Sequence, residues 1–150
     1  MLTLLLTLFT AQADDLKAQY KWENKPTIEI CPEAKVTTQE IKSALQYWEK
    51  EIGFQYKKLT RVSYCAPNKW QTIQITNGDA ITKENVLAET IFEWYFYPDS
   101  DPHQTNKYID HAIVQIPDNI PYERQDVITH EIGHSIGLMH SNHEIMKSHF

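Results

Sequence analysis

His130-Glu131-Ile132-Gly133-His134-Ser135-Ile136-Gly137-Leu138-Met139-His140 is the stretch on which the reading of this chain turns. Histidines four residues apart share one face of a helix, close enough to hold a single ion together. Glu131 stands beside them, where its carboxylate reaches a water at that ion. Gly137 follows three residues after His134, and His140 three after that. Glycine tolerates a left-handed backbone, so it can end the helix and turn the chain back. The turn returns His140 as a third nitrogen ligand. Three protein ligands and one open position make a catalytic zinc site, whereas a structural site completes four. Three neutral imidazoles also leave the ion its full charge. A solvated surface helix would give Gly137 and His140 no task.

Outward from this stretch the periodicities alternate between strand and helix. Pro121 opens the helix that carries the motif, with Val127, Ile128, Ile132 and Ile136 as its apolar positions. Upstream, Thr37 and Glu40 have capping-box spacing. Ile41, Ala44, Leu45, Trp48 and Ile52 follow as one apolar stripe that stops at Gly53, so the pattern predicts a helix over 38–52. Short strands are predicted over 27–31, 54–59, 71–76, 86–97 and 108–116, with a loop over 98–105. The order of one strand, one helix, several strands and a last helix describes a single α+β domain.

With H-E-x-x-H-x-x-G-x-x-H followed by Met146, the chain resembles the metzincin metallopeptidases, and their matrixin-like branch in particular. Helix 38–52 is similar to the first helix of that branch. Val86-Leu87-Ala88-Glu89-Thr90-Ile91-Phe92 is similar to its edge strand, with Leu87, Ala88 and Glu89 as the substrate-pairing residues. The resemblance implies a twisted, mostly parallel sheet of about five strands with an antiparallel edge strand. Two long helices complete the zincin-like fold, the second carrying the zinc motif. It also implies that His130, His134 and His140 bind one catalytic Zn²⁺, that Glu131 is the general base, and that Met146 forms an apolar floor beneath the metal. The function implied is a secreted zinc endopeptidase acting on protein or peptide substrates, as a monomer. Ser148 stands where the astacin and serralysin branches place a tyrosine ligand, and no cysteine-switch motif occurs. Any latency would therefore come from outside the chain. Four residues follow Met146, which leaves the wall of the main specificity pocket unassigned.

Other features bound the reading. Residues 2–9 are apolar and Ala11-Gln12-Ala13 is a small-x-small cleavage site, so residues 1–13 read as a signal peptide. The catalytic domain is then 14–150, secreted or periplasmic, with no stable membrane span left. Cys31 and Cys65 are the only cysteines. They suit an oxidising compartment as a bridge. Two separate buried thiols, or Cys31 as an inhibitory thiolate, remain open alternatives. A net charge of −6 with no basic run argues against nucleic acid as a partner. Five of the seven histidines lie at or after position 130. His143 is a lesser competitor of His140 as ligand, and His149 reads as solvated. His103 and His111 read as loop and strand-surface residues, with a second metal as the alternative. Asp99 and Asp101 offer oxygens to Ca²⁺ but fit an Asp-Pro turn better. Two other functions compete: a zinc amidase acting on cell-wall peptides, and a non-catalytic module that keeps the shell without turnover. Intact Glu131 argues against the module.

Overall fold

The computed structural model describes residue 16 and residues 18–79, 86–98, 105–120 and 123–148. Expectations for the signal segment, Asp99, Asp101, His103, Pro121 and His149 lie outside those residues. In chain order the elements are β1 (Thr27–Ile30), α1 (Thr38–Ile52), β2 (Lys58–Arg61), β3 (Thr72–Asn77), β4 (Glu89–Pro98), β5 (Thr105–Ile116) and α2 (Arg124–Ser135). They build an α+β fold around one five-stranded sheet of order β2-β1-β3-β5-β4. The first four strands in that order run parallel, and β4 lies antiparallel at the edge.

Local chemistry accounts for α1. Thr37 Oγ1 accepts from the Glu40 backbone N–H at 3.1 Å, and Glu40 Oε2 accepts from the Thr37 N–H at 2.7 Å. Gly53 ends the helix at φ 70°. Ile41, Ala44, Leu45 and Trp48 are buried, each such large side chain contributing roughly 1.5–3 kcal/mol. Ile52, expected in the same stripe, is 43% exposed. It occupies the last turn, beyond the reach of the layer beneath.

The helices cover one face of the sheet, and the segment around Ala66 and Lys69 covers the middle of the other. Ile28, Ile30, Ile73, Ile75, Ala112 and Val114 are fully buried and form one core with the apolar faces of α1 and α2. The other face carries Glu29 and Gln74, also buried. There Lys69 pairs with Glu29, and Gln74 Nε2 donates to the Ala66 carbonyl at 2.8 Å. The segment that brings these partners is tied down by a Cys31–Cys65 disulfide, with Cα atoms 5.6 Å apart. The bridge settles the cysteine question against free thiols and against a metal-capping Cys31. Closing a loop of this length stabilises by roughly 3–4 kcal/mol in the chain-entropy account.

The strand expected over 54–59 is displaced to Lys58–Arg61. Phe54 and Tyr56 pack against the core, but they belong to the connection from α1, whose N–H at Lys57 reaches the Pro26 carbonyl. Their alternation reflects that packing and not a ladder. The edge strand starts at Glu89, so Val86, Leu87 and Ala88 precede it, and β5 starts three residues earlier than expected. No helix among the described residues is long and apolar enough to cross a membrane.

Helices α1 and α2 are joined at their starts. Arg124 Nε donates to Glu40 Oε1 at 2.9 Å, while Trp48 Nε1 donates to the Thr129 carbonyl at 2.8 Å further along. Burial opposes ionisation of Glu40, but the Thr37 hydrogen bonds and the Arg124 guanidinium together outweigh it and hold the carboxyl below its ordinary value. A depressed carboxylate stabilises above its unfolded pKa, and the gain is lost as pH falls through the folded value. The carboxyl is half-buried and still reached by solvent, which screens the pair, so the effect is small. Denaturant titrations should find wild type more stable than Glu40→Gln at neutral pH, with the gap closing in acid. A gap independent of pH would refute this account.

Candidate metal centre

The motif helix α2 places His130 and His134 one turn apart, with Nε2 atoms 3.0 Å from each other. At Ile136 the helix closes with a shortened turn, and Gly137 follows at φ 96°. Its N–H bonds the His134 carbonyl at 2.9 Å, and the Leu138 N–H bonds the Gly133 carbonyl at 3.1 Å. Reversed in this way, the chain delivers His140 with its Nε2 3.2 Å from that of His134. All three donors lie within 4.8 Å of one another.

The opposite side of each of the first two rings is fixed by backbone. His130 Nδ1 lies 2.6 Å from the Ile145 carbonyl, and His134 Nδ1 lies 2.8 Å from the Leu138 carbonyl. A carbonyl only accepts, so both Nδ1 atoms carry the proton and the Nε2 atoms present lone pairs. Outer hydrogen bonds of this kind orient metal-binding imidazoles. Burial first of all, together with the neighbouring imidazoles, pushes His130 down to about 4 against the pull of the Ile145 carbonyl. Burial lowers His134 as well, with His140 adding to it and the Leu138 carbonyl opposing. Both rings are therefore neutral at pH 7, as ligation requires. Three converging lone pairs repel unless a cation lies between them. Tetrahedral zinc with nitrogen ligands at 2.0–2.1 Å separates those nitrogens by about 3.3 Å. The donor set fits such an ion with little movement.

Glu131 stands next in the chain. Its Oε2 accepts from Thr90 Oγ1 at 2.6 Å, and the same hydroxyl lies 2.9 Å from the Glu131 carbonyl. Burial pushes the Glu131 carboxyl up to about 7; the Thr90 hydrogen bond opposes this and the charge of Glu89 adds to it. A carboxyl poised near neutrality can both take and return a proton.

Met146 is fully buried. Its N–H bonds the His143 carbonyl and its carbonyl accepts from Ser141, so it sits in a closed turn just after the carbonyl that holds His130. The absence of a side chain at Gly133 makes room for it. A Cβ there would meet Met146 Sδ at 2.5 Å and Trp48 Cζ2 at 2.8 Å. Motif helix, first helix and the turn at Met146 are thus packed against one another at one glycine.

A cleft of about 310 Å³ opens over the three histidines and Glu131. Leu87, Ala88, Glu89 and Thr90 form one side, and Lys147 and Ser148 contribute another. Of the three residues expected to lie on the edge strand, only Glu89 belongs to it; Leu87 and Ala88 line the cleft just ahead of the ladder. His143 stays outside the trio, packed against Tyr47 and Trp48. Thr90, Gly133 and the carbonyls of Leu138 and Ile145 were not singled out by the sequence. Carbonyls leave no trace in a sequence, whereas Gly133, a glycine inside a helical pattern, was a usable signal. No protein-family model matches the chain, and no curated protein does.

Proposed function

We propose that this chain is a zinc-dependent endopeptidase of metzincin type, nearest to the matrixin-like branch. The observation that carries the reading is the convergence of three imidazole nitrogens beside the Glu131 carboxyl, in a cleft bordered by the start of an edge strand. His130, His134 and His140 would hold the ion. Zinc bound there supplies a Lewis acid that polarises a peptide carbonyl and acidifies water.

The chain's own residues supply the rest. Glu131 takes the proton of the attacking water and returns it to the departing amine. Thr90 keeps that carboxylate turned toward the cleft. An extended peptide laid along residues 87–90 would add a strand beside β4 and bring its scissile carbonyl over the histidines. Met146 would be the apolar floor. The disulfide suits an oxidising compartment, and we read residues 1–13 as the signal that sends the chain there.

Metal analysis and a peptide-library digest test the reading together. The expected result is one zinc bound by the three-histidine set, with cleavage that stops on chelation and returns on adding zinc. Cleavage of cross-linked cell-wall peptides in place of library peptides would make the chain an amidase. Bound zinc with no cleavage of any peptide would make it a binding module.

A further inference from the structure

We propose a second cation site on the sheet face away from the helices, formed by Glu93, Asp110 and His111. It does not depend on the endopeptidase reading. The pairing of β4 with β5 runs Glu93↔His111 and then Trp94↔Ile109, which leaves Asp110 without a partner. Asp110 is therefore the extra residue of a β-bulge, a device that re-aims a side chain. In a regular strand Asp110 and His111 would point to opposite faces. Here Asp110 Oδ2 lies 2.9 Å from His111 Nδ1. The bulge is held from the neighbouring side by the Gln71 N–H, which donates to the Asp110 carbonyl at 2.8 Å. Because the Thr90 hydroxyl meets α2, alternation along β4 turns Glu93 to the other face, opposite His111.

One nitrogen and two carboxylates thus offer ligand atoms within 4.8 Å of one another. Two features ask for a cation there. The His111 side chain is only 5% exposed. Asp110 Oδ1 is fully buried and has no hydrogen-bond partner among the described residues. Nor does any described lysine or arginine form an ion pair with Glu93 or Asp110. A buried carboxylate oxygen without a donor is costly, and a metal satisfies it. The mixed nitrogen and oxygen set suits a divalent transition ion of the zinc type. Calcium prefers six to eight oxygens. Glu93 is exposed, so its side chain is free to swing inward and close the set. The ion would tie β4 to β5 at their bulge, four residues from the cleft end of the edge strand at Glu89.

Zinc content of the full chain, loaded with Zn²⁺ alone and desalted, tests the site. Wild type should hold two ions, and Glu93→Gln one. Replacing both His130 and His134 with alanine should also leave one ion, which adding Glu93→Gln removes. In that His130→Ala, His134→Ala background, zinc should raise the melting temperature only when Glu93 is present. Equal zinc content with and without Glu93→Gln would overturn the proposal, as would uptake of Ca²⁺ in place of Zn²⁺. Failure of the three-histidine site gives a different pattern: the histidine variant and wild type would then hold the same number of ions.

Discussion

Gly137→Ala is expected to cost about 2–5 kcal/mol of stability and to detach His140 from the other two histidines. Two separate penalties combine. At φ 96° an L side chain is strained by roughly 1–2 kcal/mol. The new Cβ would also stand 2.1 Å from the Tyr20 carbonyl oxygen, a backbone atom that cannot rotate away. Overpacking of this kind typically adds 1–3 kcal/mol. Relief requires the turn to shift, yet its neighbours depend on it. The Gly137 carbonyl accepts from Gln19, and the Leu138 carbonyl orients His134. Gly53→Ala is the control. Gly53 also has positive φ, but a Cβ there meets nothing within 4 Å, so only the strain of about 1–2 kcal/mol applies. Denaturant melts of both variants, with zinc content, decide the matter. Equal losses in the two would show that contact with the Tyr20 segment contributes nothing.

The division between what sequence revealed and what it hid follows the range of the interactions. Helix α1 was legible because its signals are local: the Thr37–Glu40 box, an apolar period and a terminal glycine. The three histidines were legible for the same reason, since one turn of helix and one glycine place them all. Strand β2 was misplaced because alternating aromatics also arise in a connection packed on the core, and strand propensity depends on context. Thr90 was missed because its partner lies 41 residues away. His111 illustrates a third case. From sequence its natural companion was His103, but the bulge at Asp110 brings two carboxylates to it instead. A one-residue change of register redistributes faces along a strand, and no local pattern announces it.

Glu131→Gln should lower kcat by about 10²–10⁴ while leaving zinc content and folding intact, if the proposed hydrolysis is correct. The amide is nearly isosteric and still accepts the Thr90 hydroxyl that now bonds Oε2. It cannot take a proton from the attacking water, and general-base catalysis is typically worth that factor. In barrier height this is roughly 3–5 kcal/mol. The three imidazoles hold the ion without Glu131, so the metal stays. Glu131→Asp separates chemistry from charge: it keeps a carboxylate but withdraws it by one methylene from both Thr90 and the cleft. Its rate should lie between those of wild type and Glu131→Gln, because position as well as basicity sets the proton transfer. Cleavage undiminished in Glu131→Gln would remove the general base from the proposed mechanism, whatever the histidines bind. Loss of zinc from that variant would instead assign Glu131 to the metal itself.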